Sequence, residues 1–325
     1  MNISVIGLGI ISKVGNNQAI EELLKTNSYI KTRDLPQVHS VVLEVPEEFD
    51  FSKQLFRRMS HFAKISFLSA CYAIKDSGLD ITGKSIGIIQ GSVYGPIISG
   101  FRAFDDLIDF GDNQLSPTNF SGSVFNTAAA YLSIAFNIQG PTLTHTSGLD
   151  TLYSSLLTAA LWLEQKEVDY VIVGVGDEYA ALFDNNDSNP TTGLIPNCEG
   201  WTTFILSRDQ AAKYGTIEFG KQYSSLALKT DSKIIYSVWN EQIKSDLFDN
   251  QMFTDQFCNP VYLRGSYPTG VAFDLALALL CNKNKRFPIY HSTNGDYHIV
   301  ALDDQEKICC YSLAENNAVL CYQVR

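Results

Sequence analysis

Five histidines, seven cysteines and two glycine-rich stretches are the places where this 325-residue chain could do chemistry. The cysteines contain no CxxC pair and form no ligand cluster with His39, His61, His145, His291 or His298, which argues against both a disulfide framework and a zinc site. Vicinal Cys309-Cys310 reads as an inward and outward pair on a strand rather than a redox switch. No GxSxG elbow presents a serine nucleophile. Cys71 and Cys198 remain as possible nucleophiles, although Cys71 lies in an amphipathic stretch with no base near it, which argues for packing. His145, between Thr144 and Thr146 on a predicted strand, reads as a hydrogen-bonded core residue. The stretch 78–85, GLDITGKS, matches the phosphate-binding pattern GxxxxGK[ST] letter for letter. That loop needs a strand before it and a helix after it. Here the pattern predicts a helix before and a strand after, so Gly78 reads as a helix C-cap. GLGIIS from Gly7 lacks the third glycine and the downstream acid of a dinucleotide fingerprint.

The elements that would position such groups alternate between strand and helix. Ile3 to Leu8 is a continuous apolar run, as expected for a strand buried on both faces. Gln18 to Leu24 is predicted as a short helix. From Phe62, the apolar residues Ile65, Leu68, Cys71, Tyr72 and Ile74 keep helical spacing until Ser77-Gly78. Ile86 to Gln90 is a second buried strand, with the turn GSVYG at its carboxyl end. A loop and an alanine-rich helix follow in LSPTNFSGSVFNTAAAYLSIAFNIQGP. Further on, GPTLTHTSGLDTLYSSLLTAALWLEQKEVDYVIVGVGDE (140–178) predicts a strand, a long apolar helix opening near Leu149, and another buried strand. CEGWTTFILSR and TIEFG are strands on either side of Lys213-Tyr214-Gly215.

Composition limits the function classes. A chain that is 45% hydrophobic and only 18% charged can bury a sizeable core, and its low surface charge fits a protein that hides further surface in an oligomer. A net charge of −11 argues against nucleic acid or an anionic membrane as a partner. No uncharged apolar run approaches the roughly twenty residues of a membrane span, and MNISVIGLGIIS has no cationic leader, so the expected compartment is the cytoplasm.

The 140–178 stretch resembles the β-ketoacyl synthases of fatty-acid and polyketide assembly. In that family a strand after Gly-Pro ends in a nucleophilic cysteine that opens a long helix. Counting forward from Gly140-Pro141 and back from Asp169 puts that cysteine at Leu149. A cysteine there is acidified by the unpaired N–H groups and dipole of the helix, whereas leucine has neither charge nor lone pair. Taken alone, Leu149 also reads as simple core. The family's two catalytic histidines fare the same way: Ser266 stands at one position, in LRGSYPTGVAFDLALALL, and Val238 or Trp239 at the other. Its C-terminal Gly-Gly turn becomes LAENNAVLCYQ, with Glu315 near the glycines and only Asn317-Ala318 matching. Bulky Trp201 and Thr202 replace small residues of its EGAG strand. The resemblance is specific over residues 55 to 208, weaker over 263 to 325, and poor between, where Tyr223 to Pro260 is all that is left of a longer middle.

The resemblance implies a thiolase-like layered αβαβα fold with two central mixed sheets, divided as 1–208 and a shortened 209–325. It implies no catalytic residue and no cofactor or metal. The implied role is that of a chain-length factor: the inactive subunit paired with an active ketosynthase, which would meet the acyl carrier protein. Ser116, Pro117 and Asn126 match the family's interface segment, so Asn119, Phe120, Ser123, Val124, Phe125 and Leu149 are the expected tunnel and interface residues. Phe120 and Phe125 read equally as interface core. The short second half leans the reading toward an aryl-polyene system. Two alternatives stay open: an active acyltransferase with an unrecognised nucleophile such as Cys71 or Cys198, and a homodimeric non-enzymatic scaffold.

Overall fold

The computed structural model describes residues 2–26, 28–43, 45, 53–111, 115–183, 197–208, 211–223, 232–236, 256–291, 295–313 and 319–325. Val238, Trp239, Glu315, Asn317 and Ala318 lie outside the described residues. The elements in chain order are β1 (Asn2–Ile11), α1 (Asn17–Thr26), β2 (Tyr29–Ile30), α2 (Lys53–Arg58), α3 (His61–Ser77), β3 (Ile86–Gly91), α4 (Ile97–Phe110), α5 (Pro117–Gly122), α6 (Thr127–Phe136), β4 (Thr142–His145), α7 (Thr151–Glu164), β5 (Tyr170–Asp177) and β6 (Gly200–Ser207). Then come β7 (Thr216–Tyr223), β8 (Ser232–Tyr236), β9 (Phe257–Cys258), α8 (Val261–Arg264), α9 (Val271–Asn284), β10 (Arg286–His291), β11 (Asp296–Ala301), β12 (Lys307–Leu313) and β13 (Val319–Val324).

Ten strands form one sheet in the order β4-β3-β5-β6-β1-β7-β13-β12-β8-β9. It divides into two halves of like design. Numbering each half's strands as they occur, both run 3-2-4-5-1 from the outer edge, with the last strand antiparallel and the others parallel. The two expected sheets are therefore joined edge to edge, by antiparallel pairing of Asn2–Ser4 with Thr216–Glu218. A separate sheet of β10, β11 and β2 brings Tyr29 to Asp296, whose carboxylate accepts from the tyrosine hydroxyl at 2.6 Å.

β1 explains why the layers stack. Ile3, Val5, Leu8 and Ile10 enter one core cluster and Ile6 and Ile11 the other, so both faces of the strand are covered. Gly7 and Gly9 let α3 lie directly on it, since a Cβ at Gly9 would sit 1.9 Å from the Ser69 carbonyl oxygen. That is the physical use of the GLGIIS glycines. α3 is capped by the Ser60 hydroxyl, which accepts from Ala63 N, and ends on Gly78 at φ +65°. β3 follows it, so GLDITGKS has the order opposite to a phosphate loop. On the other face, α9 is buried from Ala272 to Cys281 and touches strands of both halves.

Each half places a 14-residue helix between its third and fourth strands: α7 in the first and α9 in the second. Each of these helices is preceded by a single turn of 3-10 helix, Gly148–Asp150 and Pro268–Gly270, and the two turns are in contact. The second half is short where its first two strands connect, since only residues 224–231 separate β7 from β8, while residues 12–85 separate β1 from β3. Cys309 and Cys310 do alternate across β12, but both faces are covered and both thiols are buried.

Candidate functional site

The carboxyl ends of β1, β3, β4 and β5 and the start of antiparallel β6 share one edge of the first half-sheet. Loops at such an edge are where α/β folds assemble sites. Asp177, the last residue of β5, organises this one. Its Oδ1 accepts from Ser92 Oγ at 2.7 Å, Val93 N at 2.9 Å and Tyr94 N at 3.0 Å, which holds the GSVYG turn. Its Oδ2 accepts from Thr269 Oγ1 at 2.7 Å and Thr269 N at 3.1 Å, which holds the turn in front of α9. Complete burial raises the carboxyl's pKa, against the pull of those donors.

Next to it, Glu178 accepts from Ile98 N at 2.9 Å, fixing the start of α4. Burial pushes its pKa up to about 7. Glu199 accepts from His61 Nε2 at 2.9 Å and from Val41 N and Tyr179 N. Burial opposes charge on His61, but the bond to Glu199 outweighs it and raises the imidazole's pKa. Arg264 and Asp274, both fully buried, pair at 2.9 Å and clamp the intervening turn; Gly270 lacks a side chain because a Cβ there would overlap the guanidinium. Asp177, Glu178 and Glu199 thus hold backbone, and Glu199 and Asp274 also pair with His61 and Arg264.

A cavity of about 320 Å³ lies among them, lined by Tyr94, Glu178, Tyr179, Cys198, Ser266 and Tyr267 together with adjoining residues of the same loops. Ser266 is thus in the cavity, with its carbonyl accepting from Cys198 N at 2.9 Å. Leu149 lies on the 3-10 turn that leads into α7, half-buried rather than in the core. Thr151, at the start of α7, closes the turn by donating to Gly148 O at 2.7 Å. Among the described residues, no histidine lines the cavity. His145 is half-buried on the outermost strand, with its Nε2 3.0 Å from Thr158 Oγ1 and its pKa lowered by burial. Neither candidate thiol is activated: burial pushes Cys198 up to about 11 and Cys71 well above the ordinary thiol range. Among the described residues, no group of three or more His, Cys, Asp or Glu side chains is placed to hold a metal ion.

The expected tunnel residues divide. Phe120, Ser123 and Phe125 line one open apolar groove of about 440 Å³, together with Phe101, Phe104 and Leu107 of α4. Asn119 instead fixes α5 to α4 by donating to Asp106 Oδ2 at 2.9 Å. Val124 is exposed nearby, and Leu149 is not part of the groove. Tyr94 borders both the groove and the cavity beneath Ser266, so the two are neighbours. The α4 phenylalanines are the part that sequence reading missed. Their spacing, IISGFRAFDDLIDF, marks an amphipathic helix, but nothing local says that its apolar stripe faces outward.

Residues 49–195 match the family model described as the β-ketoacyl synthase N-terminal domain. Among curated relatives, 3-oxoacyl-[acyl-carrier-protein] synthase 2 of Coxiella burnetii is 26% identical over 189 residues, covering 54% of this chain and 45% of that protein. The synthase 2 of Vibrio harveyi is 25% identical over 182 residues, covering 52% and 44%. The matched stretch thus spans less than half the length of these relatives. Among solved structures, the ishigamide ketosynthase/chain length factor superposes with a TM-score of 0.73 at 14% identity, covering 100% of this chain and 99% of that one. A β-ketoacyl synthase from Burkholderia phymatum superposes with a TM-score of 0.70 at 15% identity, covering 100% and 99%. The fold is the thiolase-like fold of the ketosynthases.

Proposed function

We propose that this chain is the non-catalytic partner of an active β-ketoacyl synthase, a chain-length-factor-type subunit of a type II polyketide or related elongation system. The observation that carries the reading is Leu149 on the 3-10 turn at the head of α7, a turn in contact with the one that follows Ser266; among the described residues no histidine lines the cavity that holds Ser266, and the thiol in it, Cys198, is pushed up to about 11. Condensation needs a thiolate to accept the acyl group and donors to stabilise developing charge. Leucine cannot accept the acyl group, and at the histidine position serine offers a neutral hydroxyl in place of an imidazole.

In this reading the subunit acts through shape. The groove between α4 and α5 meets the partner, and its aromatic side chains wall the far end of the partner's acyl tunnel. Each added methylene gains only about 0.8 kcal/mol by burial, while forcing one into a filled site costs typically 1–3 kcal/mol. Chain growth therefore stops where the wall stands. The acyl carrier protein docks mainly on the active subunit, in keeping with a net charge of −11 on this one.

The test is co-expression with an intact ketosynthase encoded beside it, followed by native mass spectrometry. A one-to-one complex, with this chain unmodified by acyl thioesters when incubated alone, is expected. A stable homodimer indifferent to the ketosynthase supports the scaffold reading instead. A second reading, catalysis through Cys198, is favoured by one fact: that thiol lines the cavity. A stable acyl adduct on Cys198 of the isolated chain would establish it.

A further inference from the structure

Lys13 follows directly on β1, at the same sheet edge as Asp177 and Cys198. The residue is 6% exposed, and among the described residues it makes no hydrogen bond or ion pair. A buried cation without a counter-charge is costly. The carboxylates of the same sheet edge are held by other donors: Glu199 by His61, Val41 N and Tyr179 N; Asp177 by five donors; Asp274 by Arg264. Burial is the largest influence on the ammonium and lowers its pKa, Arg264 acts the same way, and Cys198 opposes them.

The tight turn that presents Lys13 is firmly built. Ser12 and Gly15 exchange backbone hydrogen bonds at 3.1 and 2.9 Å, and Gly15 takes φ +102°. Lys13 lines a cavity of about 330 Å³ whose other walls include Ile10, Ile11, Val38, Val41 and Tyr72. That volume is at the small end of ligand sites. Asn16, at the start of α1, also borders it, so the positive end of that helix adds to the lysine's field.

We propose that this cavity binds a small carboxylate with an apolar body, its carboxylate paired to Lys13 Nζ. A single ammonium is a point charge suited to a monoanion; a phosphate dianion would call for a forked guanidinium or several cations, and Lys13 is the one charged residue among the described residues of the lining. The aliphatic walls accept the rest of the ligand. The site is separate from the groove between α4 and α5 and does not depend on how that groove is used.

The test compares octanoate with octanol on the purified full chain by calorimetry. Octanoate should bind about tenfold or more tightly than octanol, the difference that a charge-assisted bond supplies. Lys13→Met should fold, because methionine keeps an unbranched apolar stem in the same place, and should erase that preference. With 13C-dimethylated lysines, octanoate should shift the resonance that is absent from the Lys13→Arg spectrum. Equal binding of the acid and the alcohol, no binding of either, or an octanoate affinity unchanged in Lys13→Met with an unmoved Lys13 resonance overturns the proposal.

Discussion

At the head of α7, the proposed reading turns on one side chain, a leucine where a reactive cysteine would sit. The backbone there keeps what a nucleophile would use, a helix start at an exposed sheet edge, and the residue on it is Leu149. Leu149→Cys should therefore be alkylated by iodoacetamide faster than any native cysteine, six of which are buried; a rate no higher than wild type, read by intact mass, would contradict that placement. Glu178 gives a second prediction. A raised carboxyl pKa means that the folded state holds its proton more tightly, so stability is greatest below the unfolded value of about 4.5 and falls as pH rises through about 7. The gap corresponds to about 3 kcal/mol. Asp177 and His61 also have raised values and push the same way. The chain should melt higher at pH 5.5 than at pH 8, and Glu178→Gln, which can still accept from Ile98 N, should flatten that difference; an unchanged slope would rule Glu178 out as its source.

Helices α4 and α5 face outward with more apolar surface than a lone subunit needs. Phe104 is 64% and Ile108 78% exposed, and Phe120 is 57% exposed beside them. Replacing Phe104 and Ile108 together by Asp should leave the isolated chain's stability within about 1 kcal/mol, since exposed sites are tolerant, while abolishing co-purification with the ketosynthase; retained pairing would move the interface elsewhere. Phe120→Ala in the complex should lengthen the products, and an unchanged product distribution would remove Phe120 from the tunnel wall. The segment 116–126 was singled out by its resemblance to an interface segment, and Phe120, Ser123 and Phe125 of it line one groove. Asn119 was legible only as part of the segment; its bond to Asp106 depends on how α4 packs, which no local pattern encodes. α3 could be read almost to the residue, because its apolar spacing, its Ser60 cap and Gly78 are all local signals.

Across the whole molecule, two halves with no visible sequence repeat share strand order and direction, and they bring the heads of α7 and α9 together. Buried strands read as apolar runs whichever neighbour they pair with, so sequence gives the strands and not their order. The edge-to-edge pairing of β1 with β7 and the small sheet that ties Tyr29 to Asp296 span long stretches of chain, which is why neither was foreseen. The same geometry uses Asp177, Glu178 and Glu199 to hold loops, and it leaves a broad apolar groove beside that cavity. That combination fits a subunit that shapes a partner's tunnel. Incubating the assembled complex with an acyl thioester and weighing both chains tests this most directly. The account predicts one acyl group on the partner ketosynthase and none on this chain; an acyl group carried by this chain would contradict it.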